Sequence, residues 1–85
     1  MTNKLEILKK KLLYRASYRG TKEMDILLTS FVKSYIKKIN PNDLKNLENF
    51  LNFEDEILYN FYHFNIVKKK IDKNPISKIF KNFKI

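Results

Sequence analysis

The sequence predicts an all-α fold, a compact antiparallel bundle of five short helices, and three observations lead there. Apolar residues recur at helical spacing nearly throughout, and no run alternates as a half-buried strand would. Capping residues and breakers punctuate the pattern at Gly20-Thr21, Asn40-Pro41 and Asn74-Pro75. The chain has 85 residues, the size of one small domain over 1–85, with 44% apolar residues to supply a modest core.

Taken in order, Asn3 and Glu6 have the spacing of a capping box at the start of the first helix. Leu5, Leu8, Leu12 and Ala16 then share one face, while Ile7, Tyr14 and Tyr18 form a second apolar stripe nearly opposite. Burial on both sides is the expectation for such a helix; the alternative is that one stripe is offered to something else. The helix is expected to stop at Gly20, because glycine alone takes a left-handed conformation without steric cost. Thr21 caps a second helix whose first turn holds Glu23 and Asp25 against the positive end of the helix dipole. Met24, Leu27, Leu28, Phe31, Tyr35 and Ile39 make its buried face, ending near Asn40.

Asn40 and Pro41 open a third helix with Leu44, Leu47 and Leu51 inward. Glu54-Asp55-Glu56 opens a fourth, carrying Ile57, Leu58 and Phe61. From His63 to Lys73 the pattern weakens, and Lys68-Lys69-Lys70 reads as a solvated turn or frayed helix. Asn74-Pro75 starts a last short helix with Ile76, Ile79, Phe80 and Phe83.

Composition excludes several chemistries. There is no cysteine and one histidine, His63, so no thiol nucleophile, zinc-thiolate site or histidine cluster can form. One glycine is too few for a phosphate-cradling loop. No metal, no cofactor of its own and no catalytic residues are expected. The net charge of +9 is uneven: +5 over residues 1–20, −2 over 21–56 and +6 over 57–85. Sixteen of the 18 basic residues are lysine, and Lys, Ile and Asn fill 36 positions, a bias that raises basicity without selecting a partner. A basic helical nucleic-acid binder is the competing class, but acids at the start of the second helix would face phosphates there. No stretch reaches the ~20 apolar residues of a membrane span, so a soluble, intracellular protein is expected.

The turn between the first two helices is the candidate site. Arg15 and Arg19 are four apart at a helix C-terminus, followed by Gly20 and then by Glu23 and Asp25. Charge complementarity with the two helix dipoles accounts for these residues structurally. The same corner could also receive a partner, since a residue without a side chain lets another backbone come close while charges fix orientation.

Residues 12–28, Leu-Leu-Tyr-Arg-Ala-Ser-Tyr-Arg-Gly-Thr-Lys-Glu-Met-Asp-Ile-Leu-Leu, resemble the signature of the succinate dehydrogenase assembly factors. That family's Arg-Gly, two variable residues, then Glu is matched by Arg19, Gly20 and Glu23. Asp55 through Phe61 is similar to a second family segment, with Phe61 in place of a tryptophan, and the Lys-rich part 63–85 lies beyond the best-matched 1–62.

The resemblance implies a non-enzymatic helper that binds the flavoprotein subunit of succinate dehydrogenase or fumarate reductase. It would promote covalent attachment of FAD to the partner's own histidine, the FAD belonging to the partner. Carried over, Gly20 would press against the partner, with Arg19 and Glu23 hydrogen-bonding there and Arg15, Tyr18 and Asp25 extending the contact. A monomer is expected, in a bacterial cytoplasm, or in the mitochondrial matrix of a eukaryote.

Overall fold

The computed structural model describes residues 4–84, and the Asn3 cap lies outside them. Five helices follow one another: α1 (Lys4–Ser17), α2 (Lys22–Ile36), α3 (Pro41–Leu51), α4 (Asp55–Phe64) and α5 (Pro75–Asn82), with a short 3-10 turn at Ile71–Lys73. No strand occurs among the described residues, so the all-α bundle predicted from periodicity is the fold.

Three of the expected caps form. Thr21 Oγ1 accepts from the Met24 N–H at 3.3 Å, Asn40 Oδ1 from Asp43 at 3.1 Å, and Asn74 Oδ1 from Ile76 at 2.9 Å. Each satisfies one of the backbone donors that a helix start leaves without a partner. Asn74 also donates from Nδ2 to the Asn46 carbonyl at 2.8 Å, so the cap of α5 is tied to α3. Glu54 precedes α4 without any side-chain cap bond, leaving the acids Asp55 and Glu56 to complement that end.

The core is built around three phenylalanines. Phe31 of α2, Phe50 of α3 and Phe80 of α5 meet edge to face, with ring centroids 6.0, 5.2 and 5.1 Å apart. Such geometry aligns the positive edge of one ring with the negative face of the next. Leu12 and Ala16 bring α1 onto this core, and Leu58 and Ile71 close it from α4 and the 3-10 turn. The expected faces of α2, α3 and α4 are inward, and Phe50 joins them.

Several expectations need correction. Ile7, Tyr14 and Tyr18 are exposed, so α1 is buried on one side only; four neighbouring helices cannot surround it in so small a bundle. The helix α1 stops at Ser17, three residues before Gly20, and α2 stops at Ile36 although Ile39 is still buried in the following turn. On α5 the partner of Ile76 and Phe80 in the core is Ser77, while Ile79 faces outward. The Ser77 hydroxyl is buried and has no hydrogen-bond partner. Ser77→Ala should therefore raise stability by about 1 kcal/mol, since it removes an unsatisfied buried group. Thermal unfolding of the purified variant checks this; a lowered midpoint would mean that the hydroxyl has a partner.

Candidate functional site

Residues 18–21 form an elbow between α1 and α2. Because α1 has already ended, Arg19 leaves the helix surface, and its side chain turns inward, only 11% exposed. Its Nε donates to Asp55 Oδ1 at 2.8 Å, Nη1 to the Leu51 carbonyl at 2.6 Å, and Nη2 to the Phe53 carbonyl. The sites it fills need a cation. Carbonyls at the end of α3 have no helical partner, and the last turn of α3 has no basic residue of its own. Asp55, in the first turn of α4, supplies the matching carboxylate. One guanidinium thus joins the elbow, the end of α3 and the start of α4.

The backbone of Arg19 is tied down as well: its N–H donates to Asp25 Oδ1 at 2.5 Å. Arg15 reaches the same α3–α4 connection, donating from Nη2 to Asn52 Oδ1. The expectation that both arginines lie at the C-terminus of the first helix is corrected for Arg19, which lies beyond the end of α1. They share a target, the connection after α3, and not an outer face.

Above this buried support the elbow is open. Gly20 has φ +117°, and a Cβ added there would meet only Asp55 Oδ2, at 3.7 Å, an ordinary contact. The backbone conformation is therefore what requires glycine, and the space over it is free. Glu23 stands on the same side with its side chain 62% exposed, its Oε1 3.6 Å from His63 Nε2 of α4. A groove of about 410 Å³ runs between the two helix starts, lined by Thr21, Glu23, Met24, Asp55, Glu56 and Tyr59. On the other side of the elbow, Tyr18 is exposed and packs on Tyr14, ring centroids 4.6 Å apart.

The six residues singled out from sequence thus fall into two groups. Gly20, Glu23 and Tyr18 are presented to solvent; Arg19, Arg15 and Asp25 hold the elbow in shape, although Arg15 does so at the surface. Sequence reasoning missed Asp55, Asn52 and Tyr59 as members of this corner. Asp55 and Tyr59 lie in the second segment that resembles the family, but a separation of more than 30 residues left no local sign that they or Asn52 meet the elbow. Phe61, matched to the second segment of the resemblance, is a core side chain with the Lys81 ammonium 5.3 Å from its ring centre. Among the described residues no group of three or more His, Cys, Asp or Glu could hold a metal, and no helix is long and apolar enough to cross a membrane.

Fold and corner together define a small all-α protein with an open glycine elbow braced from below. The family model described as "Flavinator of succinate dehydrogenase" matches residues 10–84, and the chain belongs to that family. It is similar to the mitochondrial succinate dehydrogenase assembly factor 2 of Schizosaccharomyces japonicus, at 40% identity over 55 residues, covering 64% of this chain and 38% of the relative. It is also similar to the protein of the same name from Lodderomyces elongisporus, at 28% identity over 81 residues, covering 95% of this chain and 46% of the relative. The chain thus spans less than half the length of these curated relatives. No solved structure matches it.

Proposed function

We propose that this protein is a non-enzymatic assembly factor that binds the flavoprotein subunit of succinate dehydrogenase, or of a related fumarate reductase, and promotes covalent attachment of FAD to it. The observation that carries the reading is the open elbow at Gly20, with Glu23 exposed beside it, in a chain of this family. In this reading Gly20 allows the partner's backbone to approach, and Glu23 accepts hydrogen bonds from it. Tyr18 adds apolar area at the rim, while Arg19, Arg15 and Asp25 keep the elbow rigid. Rigidity matters because ordering an interface on binding costs affinity.

The protein contributes no acid, base or nucleophile in this scheme. It holds the partner in a geometry where flavin and histidine are aligned, and alignment of reacting groups can lower a barrier by several kcal/mol. FAD belongs to the partner, and the factor acts as a monomer without a cofactor of its own. Its compartment is the one that houses the flavoprotein: the cytoplasm in a bacterium, the matrix in a eukaryote. The relatives' names place those proteins in mitochondria. A nucleic-acid role is disfavoured at the elbow, where Glu23, Asp25, Asp55 and Glu56 would meet phosphates.

Co-expression of the flavoprotein subunit with and without this protein tests the proposal, with covalent flavin read by fluorescence in a denaturing gel. A clear increase with the protein present is expected; equal signals would refute the reading.

A further inference from the structure

The connection between α4 and α5 has an unusual make-up for a loop. All eight residues from His63, in the last turn of α4, to Lys70 are exposed. Three of them are large and apolar: Phe64 is 60%, Ile66 40% and Val67 50% open to solvent. Lys68, Lys69 and Lys70 follow directly. Helical spacing would disperse three lysines around a turn of helix, but here they are not in a helix.

Both ends of this segment are pinned. At the start, Asn65 takes the left-handed conformation, φ 59°, while the N–H groups of Asn65 and Ile66 donate to Phe61 and Asn60 carbonyls, each at 3.2 Å. That is the hydrogen-bonded stop that ends many helices. At the other end Ile71 is fully buried, and its N–H donates to the Lys68 carbonyl at 3.1 Å. Lys69 and Lys70 lie between them at φ 55° and 59°, the two-residue turn that normally takes Asn-Gly. Left-handed lysines are disfavoured, so the turn is maintained against local preference. The apolar residues are thus held outside a fixed framework.

We infer that the segment from Phe64, at the end of α4, to Lys70 docks the protein on an anionic lipid surface, with Phe64, Ile66 and Val67 entering the headgroup boundary and Lys68–Lys70 meeting lipid phosphates. The inference stands independently of the flavoprotein reading. The lysine excess of the chain does not by itself select a partner, but its placement here does point to one: the exposed Lys68, Lys69 and Lys70 directly adjoin three exposed apolar residues, and no acid lies within 64–71. Lysine is a flexible point charge suited to a diffuse anionic surface, whereas recognition of a defined protein site favours the planar fork of arginine, absent from this segment. Two exposed aliphatic residues beside the lysines have no use against bases or phosphates, and they suit shallow insertion into lipid.

Co-sedimentation of the full chain with phosphatidylcholine vesicles, with and without phosphatidylglycerol, tests this. Binding is expected only with the anionic lipid and should weaken as salt is raised. Replacing the three lysines by Gln should reduce partitioning about 100-fold, at about fivefold each. Ile66→Ser with Val67→Ser should also reduce it, whereas Lys9, Lys10 and Lys11→Gln should change it far less. Phe64→Trp gives the chain its only tryptophan, whose emission should shift to the blue on vesicle binding. Every variant is accepted only if its circular dichroism melt matches the parent.

The inference is overturned by absence of binding to anionic vesicles, by equal loss on removing Lys9–Lys11, or by unshifted tryptophan emission in sedimented protein. It is also overturned if the loop variants lose the flavoprotein subunit in a vesicle-free pull-down, which would assign the patch to a protein partner.

Discussion

Arg19→Ala should unfold at a markedly lower urea concentration, with a loss of about 2–4 kcal/mol in stability. The guanidinium makes one ion pair with Asp55 and two hydrogen bonds to the Leu51 and Phe53 carbonyls, and it is nearly buried. Charge-assisted bonds of this kind contribute about 1.5–3 kcal/mol each when desolvated, less here because the Asp55 side chain is 23% exposed. Truncation also leaves a carboxylate and two carbonyls without their cation. Arg19→Lys should recover less than half of the loss, since one ammonium cannot reach three acceptors in fork geometry. An unchanged urea midpoint for Arg19→Ala, at unchanged slope, would show that the brace is dispensable. The consequence for function is direct: loss of flavin attachment in an Arg19 variant reports a collapsed elbow as much as a lost contact.

Gly20 and Glu23 separate those two effects. Gly20→Val should cost about 1–2 kcal/mol, because φ +117° is strained for any residue with a Cβ, while the space around it is free. The added side chain would also stand where the partner is proposed to approach, so covalent flavin in the co-expression assay should fall about tenfold or more, equivalent to at least ~1.4 kcal/mol of lost association. Glu23→Gln should leave stability within about 0.5 kcal/mol, as expected of an exposed site, and still reduce flavin attachment. A Glu23→Gln protein that melts like the parent and supports full flavin attachment would remove the elbow from the contact surface.

The helices were largely legible from local chemistry. Thr21, Asn40 and Asn74 each satisfy a backbone donor within three residues, and the Leu-rich stripes of α2 and α3 need only helical geometry to share a face. Where neighbours decide, local reading failed. Ile7, Tyr14 and Tyr18 form as good a stripe as the buried one, yet no helix packs there. Ile79 has the spacing of a core residue, but the smaller Ser77 is the one that faces the packed interior of α5.

The candidate site divides in the same way. The motif Arg19-Gly20-Thr21-Lys22-Glu23 was readable as a unit, and the need for glycine at a bend follows from its lack of a Cβ. The inward turn of Arg19 was not readable, because its acceptors lie 32, 34 and 36 residues away along the chain.

What the amino-acid order alone determined is the set of helices, the capped starts of α2, α3 and α5, the glycine bend and the lysine-rich character of the last third. Those features arise from contacts within a few residues. Which apolar stripe is buried, which arginine supports the end of α3, and which carboxylate remains exposed at the elbow were decided only when the helices packed. Desolvation and the supply of unsatisfied carbonyls depend on elements brought together from distant parts of the chain.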